Sequence, residues 1–490
     1  MLLRSIRFRA TLACAARRFS AQAAAAVAAA VEKKAAAAVA STKSSGDGRD
    51  TLGRRLMSLV YAKRSAVIAI RKWKEEGHTV RKYDLNRIVR QLRKLRRYKH
   101  ALEICEWMTL QQDIRLQTGH LACSALLHVY VQNKLSAKAE ALMAKMTECG
   151  FLKNCLPYNH MLSLYISNGQ LEKVPEVIHE LKKNTLPDVV TYNLWLTACA
   201  SQNDVETAEK VFLELKKENI VPDWVTYSAL TNLYIKKALP EKASYTLKQM
   251  EKKAFRKNRV AYSSILSLHT NMGDKDEVHR IWKKMTSLYR KMSDAEYTCM
   301  LSSLVKLGEF EEAESLYREW ETVSGTGDAR VSNILLAAYI NRNQMEMAEN
   351  FYNQMVEKGI TPSYTTWELL TWGYLNQKQM EKVLDYFTKA VGSVKKWNPD
   401  ERLVREVFKK YEEQGNVEGA EKILVVLRKA GHLSTEVYNS LLRTYAKAGK
   451  MPLIVAERME KDKVQLNEET HELIKLTSKM CVSEASITNS

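Results

Sequence analysis

Proline and glycine are scarce, with 8 and 18 residues in a chain of 490. Sandwiches, barrels and long disordered tracts need frequent turn punctuation, so that scarcity argues against all three. No run of 18 or more uninterrupted apolar residues occurs, which argues against a transmembrane protein. The eight cysteines (Cys14, Cys105, Cys123, Cys149, Cys155, Cys199, Cys299 and Cys481) include no C-x-x-C pair. Their spacing suits neither a zinc site nor a disulfide framework, and they read as small apolar helix residues in a reducing compartment. Acids are absent before Glu32, whereas Arg4, Arg7, Arg9, Arg17 and Arg18 precede it. Basic, acid-free, Ala-rich beginnings read as organelle transit peptides. Arg17-Arg18-Phe19-Ser20 is similar to a mitochondrial processing site. Residues 1–50 are therefore expected to be a mitochondrial transit peptide with a disordered Ala-rich linker, addressed to the matrix. A chloroplast address is the alternative, and an extension with no address is the bland reading.

A length of 490 exceeds one ordinary core, so the chain needs several domains or a repeat array. Self-similarity decides for the array. Tyr158, Tyr192, Tyr227, Tyr262 and Tyr297 open comparable segments at steps of 34, 35, 35 and 35, and the slot continues at Ser332 and Trp367. It then loosens through Val404, Tyr438 and His471. A small residue falls 16 positions after the slot at Ala139, Ala208, Ala243, Ala313, Ala348 and Ala420. Each unit reads as two helices. In 189–223 the first helix precedes a turn at Gln202-Asn203, Asp204 is a candidate N-cap of the second, and Pro222 stands at the unit end. Asp274 and Glu277 have capping-box spacing. Leu194, Ala198, Val211 and Leu215 give each hairpin an apolar face that only a neighbouring hairpin can bury.

A 35-residue helical hairpin with Val-Thr-Tyr-Asn opening its first helix resembles the pentatricopeptide repeat. The resemblance rests on Leu186-Pro187-Asp188-Val189-Val190-Thr191-Tyr192-Asn193 and Val221-Pro222-Asp223-Trp224-Val225-Thr226-Tyr227-Ser228. It covers 82–467, and residues 73–108 look like the entry region of a plant organellar subfamily of the P class, which has no appended catalytic domain. The implied fold is all-α, a right-handed superhelical solenoid of stacked antiparallel helical hairpins. Its expected units are 82–119, 120–154, 155–188, 189–223, 224–258, 259–293, 294–328, 329–363, 364–400, 401–434 and 435–467. A basic helical extension over 51–81 precedes them, and a capping helix and tail over 468–490 follow. The first unit is 38 residues long, so the array is expected to be one hairpin short there. The chain is read as no enzyme. It lacks the H-x-E and P-C-x-x-C of a zinc deaminase, a phosphate-binding loop and a nucleophile elbow. His120, Cys123 and His128 read as helix residues of a repeat rather than as metal ligands, and no cofactor is implied.

The resemblance implies that each repeat faces one base of single-stranded RNA and reads it with two side chains. These are the residue after the aromatic slot and the last residue of the repeat. Ser124 with Asn154 and Ser228 with Asn258 then correspond to adenine. Asn159 with Asp188 and Asn193 with Asp223 correspond to uracil. Thr298 with Asp328 corresponds to guanine. Asn333 with Ser363 and Asn439 with Asn467 correspond to pyrimidines. Ser263 with Ser293 gives no preference, and Glu368 with Asp400 and Arg405 with Ser434 depart from the pattern. Val190, Val225 and Val260 are implied to sandwich the bases. Read parallel to the repeats from the 5′ side, the target is A-U-U-A-N-G-Y across 120–363. The bland alternative is that such Asn, Ser and Asp residues simply cap helices.

The net charge of +20 is unevenly placed. Residues 52–110 carry 16 Lys+Arg against 5 Asp+Glu. On an expected helix over 83–99, Leu85, Ile88, Leu92 and Leu95 share one face. Arg87, Arg90, Lys94 and Arg97 share another, a surface able to neutralise phosphates or simply to be solvated. Residues 111–490 are close to neutral, so affinity there cannot rest on charge alone. Two readings follow: a mitochondrial RNA-binding array acting on organellar transcripts, or a protein scaffold such as a mitochondrial ribosome-associated repeat protein.

Overall fold

A computed structural model describes residues 51–59, 65–110, 120–253, 258–324, 326–393, 400–452 and 454–485. The expected address over 1–50 and the atypical unit end at 117–119 lie outside the described residues. All the regular structure described is helical, and the chain forms two compact units, Met1–Leu288 and Tyr289–Ser490. Within each unit the helices pair as antiparallel hairpins. First helices pack on first helices of the next hairpin, as Val189–Gln202 does on Trp224–Lys236.

The backbone repeats the sequence period. A left-handed residue ends the first helix at Arg96, Lys134, Gly169, Asn203, Ala238, Gly273, Gly308, Asn343, Lys378, Gly415 and Gly449. This geometry lets the backbone N–H groups beyond the helix bond back to its last carbonyls, as Asp204 N does to Cys199 O at 3.0 Å. The chain thereby reverses within about three residues. Sixteen positions after the slot, Ala139, Ala208, Ala243, Ala313, Ala348 and Ala420 are all fully buried. They lie on the buried faces of the second helices. The slot itself locks the hairpin: Tyr192 donates to Glu214 at 2.8 Å and Tyr297 to Glu319 at 3.0 Å, each in the last turns of its own second helix. Where the slot holds Ser332 the ring comes instead from the second helix of the preceding hairpin, with the Tyr317 and Ser332 hydroxyls 2.9 Å apart.

Neighbouring hairpins are also clasped by a polar contact that the repeat register did not reveal. Glu140 accepts from Tyr165 at 3.0 Å and from Lys173 at 2.8 Å, both in the following hairpin. Glu209 repeats this with Tyr234 and Lys242, and Glu421 with Tyr445 and Arg458. Desolvation, with the Glu421 carboxylate beside it, pushes the Tyr445 hydroxyl up to about 12, so it remains a donor. An Ala-Glu dipeptide with Tyr 24 or 25 residues after the Glu was the available signal.

Two expectations are corrected. The helix over 83–99 stops at Lys94, because Arg96 takes φ = +55° and a second helix, Tyr98–Leu110, begins. The segment 51–81 is more than an extension: Leu52–Met57 packs on Lys82–Lys94, and Ala66–Glu75 packs on Tyr98–Leu110. It is a hairpin in the register of the array, with Ala66 fully buried 35 residues before Ala101. The array therefore gains at its start the hairpin it was expected to lack.

Seam packing should outweigh seam charge. Ala208→Leu is expected to lower stability by about 1–3 kcal/mol through overpacking. Glu209→Gln, at a half-exposed ion pair, should cost under about 1 kcal/mol. Thermal unfolding with both variants checks the order, and a larger loss for Glu209→Gln contradicts it. Ala238→Gly should stabilise by roughly 1 kcal/mol, because Ala238 holds φ = +54° against its Cβ.

Candidate nucleic-acid interface

The residues ending each repeat are helix caps. Asp188, Asp223, Asn258, Asp328, Ser363, Asp400 and Ser434 accept backbone N–H groups from the first turn of the following helix. Asn467 accepts from Thr470 N at 2.9 Å. The cap reading is thus true of them. It does not exhaust them, because four caps are joined to the residue after the slot.

Asn193 is buried and donates from Nδ2 to Asp223 Oδ1 at 3.1 Å, while Thr226 Oγ1 donates to Asn193 Oδ1 at 2.7 Å. The same triad recurs as Asn159–Asp188–Thr191, with 3.1 Å and 2.8 Å. It recurs again as Asn333–Ser363–Thr366 and Asn439–Asn467–Thr470. Buried amides must find partners, and each Asn is held in one rotamer by the next repeat's cap. The sequence had no sign of Thr191 and Thr226 in this role beyond their fixed place before the tyrosine.

The acids keep something in reserve. Thr226 N and Asn193 Nδ2 both donate to Asp223 Oδ1, the Thr226 hydroxyl proton lies between that oxygen and Asn193 Oδ1, and none of these contacts uses Oδ2. Asp188 Oδ1 accepts from Thr191 N and Asn159 Nδ2 in the same way, with the Thr191 hydroxyl proton between it and Asn159 Oδ1. Its carboxyl lies below the usual range: burial opposes ionisation, and the bonds from Thr191, Cys155 and Asn159 outweigh it. An ionised Oδ2 presents an acceptor and no donor.

The second unit differs. Arg330 forks onto both oxygens of Asp328, and Arg402 lies 3.7 Å from Asp400. Glu469 accepts from Asn439 at 3.0 Å and also pairs with Arg443. Thr298 donates to Asp294 O in its own helix at 2.6 Å, and no bond joins it to Asp328 among those described. In the first unit Ser124 is buried with an unpartnered hydroxyl. Ser228 pairs with Ser264 at 3.0 Å, Asn154 accepts from Leu156 N, and Asn258 caps its helix.

Two residues before the slot, Val190 is 49% exposed and Val260 37%, with Val225 half-buried. Leu156 at the same register is 48% exposed and was overlooked. The equivalent second-unit positions include Arg330, Arg402, Glu436 and Glu469. Exposed Val and Leu side chains at this register are thus found in the first unit. Arg87, Arg90 and Lys94 stand exposed on one helix face. Arg97 has left it and donates to Met57 O at 2.6 Å. Among the described residues no group of three or more metal-capable side chains converges, and no helix is long and apolar enough to cross a membrane.

Comparison with known proteins follows the same register. The PPR repeat family model matches residues 187–236 and 328–376, and the pentatricopeptide repeat domain model matches 141–193. The PPR repeat model matches 122–151, 225–255, 260–289 and 297–322. The chain is 60% identical over 472 residues to a pentatricopeptide repeat-containing protein of Arabidopsis thaliana named as mitochondrial, covering 90% of this chain and 89% of that one. A second such Arabidopsis thaliana protein is 34% identical over 203 residues, covering 35% of this chain and 50% of its own length. The crystal structure of the maize pentatricopeptide repeat protein PPR10 aligns with a TM-score of 0.42 at 19% identity, over 88% of this chain and 66% of that one. PPR10 in complex with an 18-nt psaJ RNA element gives 0.42 at 18%, over 84% and 68%. With a relative 60% identical along 90% of its length, and with the 35-residue hairpin visible in its backbone, this chain belongs to the pentatricopeptide repeat family.

Proposed function

We propose that this protein is a non-enzymatic, sequence-selective single-stranded RNA-binding protein of the mitochondrial matrix. It grips organellar transcripts and influences their stability, processing or translation by occupying them. The name of its 60% identical relative supports the mitochondrial address, together with the basic, acid-free first 31 residues. As in the P class, the array itself is the working part.

The observation that carries the reading is the Asn193–Asp223 pair: a clamped amide beside a carboxylate whose Oδ2 is outside the internal network. An acceptor-only group selects a base that offers a donor on its pairing edge. Uracil offers its ring N–H there, whereas cytosine and adenine present an acceptor at the ring nitrogen and are repelled. The Asn amide has two protons and uses one on Asp223, leaving the second for a base carbonyl. Asn159–Asp188 repeats the chemistry one repeat earlier, and Ser124, Asn154, Ser228 and Asn258 flank the pair as the adenine positions. Val190, Val225 and Val260, with Leu156, hold the bases between repeats. Thr298 with Asp328 and Asn333 with Ser363 extend the track into the second unit, where Arg330 must release Asp328 before a guanine is read. Phosphates are met by Arg87, Arg90 and Lys94.

The scaffold reading draws on the second unit, where Arg330, Arg402 and Glu469 occupy the cap and readout groups internally. It assigns those repeats to a protein partner such as the mitochondrial ribosome.

Asp223→Asn keeps the cap, since Asn and Asp cap equally well, but turns the acceptor edge into a donor. Competition binding with single-stranded AUUANGY RNA should show preference at the third base moving from uracil toward cytosine, by about tenfold, the value of roughly one hydrogen bond. An unchanged ratio in a variant of native helicity contradicts readout by this repeat. Replacing Arg87, Arg90 and Lys94 with Ala should flatten the slope of log affinity against log salt by roughly 2, as expected for three lost single-strand phosphate contacts. An unaltered slope removes them from the RNA path.

A further inference from the structure

Most basic side chains at the repeat seams are matched to acids. Arg280 forks onto Glu251 and pairs with Glu277, Arg458 forks onto Glu421, and Lys382 meets Glu349. One region breaks this rule. Between the helices Lys82–Lys94, Tyr98–Leu110 and His120–Gln132 lies a cleft of about 620 Å³. It is lined by Tyr83, Arg87, Arg90, Gln91, Arg93, Lys94, Tyr98 and His128, with no carboxylate among them.

Arg93 is the telling residue. Its guanidinium is half-buried, and burial holds its pKa below the usual value. A charge taken out of water normally carries an acidic partner. Arg93 instead donates from Nε to Nδ1 of His128 at 3.3 Å, a neutral acceptor. The His128 pKa is lowered to about 4, by burial first and then by Arg93, so the imidazole adds no charge of its own. Accepting at Nδ1 places the His128 proton on Nε2, a further donor. The His128 ring meets the Tyr98 ring at 5.5 Å and the His160 ring at 4.7 Å. His160 Nε2 is buried without a partner, as is the Ser124 hydroxyl one helical turn before His128. At the mouth, Tyr83 is 69% exposed, an uncommon place for a large ring unless something covers it.

Four cations, a neutral donor and two tyrosines around one cleft, without an acid, are a set of groups for a phosphate with a flat apolar ring attached. Its volume falls within the usual range for small-ligand sites, about 300–1,000 Å³. We infer that this cleft is a nucleotide site: it takes one phosphate-bearing nucleotide that flanks the read sequence, with phosphate on Arg93, Arg87, Arg90 and Lys94 and base against Tyr83 and Tyr98. The inference rests on the RNA-binding reading for the identity of the strand and deepens it. The first-helix track acquires an anchored end next to Ser124. The same chemistry could be supplied by a terminal phosphomonoester or by an internal phosphodiester.

The test uses the full chain and the double variant Tyr83→Ala with Arg93→Gln. AUUANGY RNA is compared with the same RNA lengthened by two uridines at the 5′ or the 3′ end, each made with and without a 5′-phosphate. Extension at one end only should tighten binding by about tenfold, and the double variant should lose that gain. A gain that appears with 5′-phosphate and no added uridine identifies the terminal group, and a gain that needs the uridines identifies the internal backbone. Independently, uridine 5′-monophosphate at millimolar concentration should raise the thermal midpoint of the wild-type chain and not that of the double variant. If Arg93→Gln disturbs folding, Tyr83→Ala with Lys94→Ala, both at exposed positions, serves as the second variant. The inference is overturned if neither extension tightens binding and the mononucleotide has no effect, or if both effects persist in the variants. The two readings fail separately. An unchanged base ratio in the Asp223→Asn variant with an intact mononucleotide effect removes the readout alone, whereas selective binding without any end effect removes the cleft alone.

Discussion

A hairpin of two helices leaves one apolar face uncovered, and covering it with the next hairpin is the constraint on which the rest of this chain depends. The fully buried alanines allow the helices to approach, and the left-handed residue after each first helix lets the chain turn back in step. Because both conditions recur every 35 residues or nearly so, polar groups that fall in the seams recur as well. The Glu–Tyr–Lys clasp marks one edge of the seam. The Asn–cap–Thr triad marks the end of the seam where the first helices begin.

Under the proposed function, that triad is how a capping residue would also read a base. A cap must offer an acceptor to the first turn, and Asp223 does so with a single oxygen. The second oxygen is held in a fixed place by the demands of the first, so any cost of ordering it is met by the fold rather than by the ligand. Where the neighbouring position is aliphatic, as at Val190 and Val225, a base edge can reach that oxygen. Where it is Arg330, the carboxylate is already satisfied. The same backbone motif thus carries an open oxygen at Asp188 and Asp223 in the first unit and arginine-matched carboxylates at Asp328 and Asp400 in the second. Charge follows a similar division, since Arg87, Arg90, Arg93 and Lys94 line a cleft without a carboxylate near the start of the array, and the seams beyond them are largely neutralised.

Much of this was legible in the sequence and some was not, for physical reasons. The Tyr slot and the buried Ala are side-chain requirements of close packing, and such requirements leave a periodic trace; helix Val189–Gln202 with its Asp204-capped partner was readable almost to the residue. The left-handed turns were not, because Arg96, Lys134, Ala238 and Lys378 occupy a conformation usually signalled by glycine. Missing the turn at Arg96 made one long helix of 83–99 and put Arg97 on the wrong face. The hairpin at 52–75 was hidden because its first helix is a single short stretch, Leu52–Met57, without an aromatic slot. At the candidate interface the positions proposed to read bases follow from the register alone, but their electrostatic state does not. That Asp328 is engaged by Arg330 and that Asp223 keeps an oxygen in reserve depend on rotamers, which periodicity cannot report.

The central claim, that RNA runs along the first helices of the first unit and is read there, is tested most directly by crosslinking in isolated mitochondria. Both the bound RNA and the crosslinked peptides would be sequenced. The account predicts a shared motif with two adjacent uridines between purines, and crosslinked peptides from within 120–260. A motif-free set of RNAs, or crosslinks confined to 289–485, would contradict it.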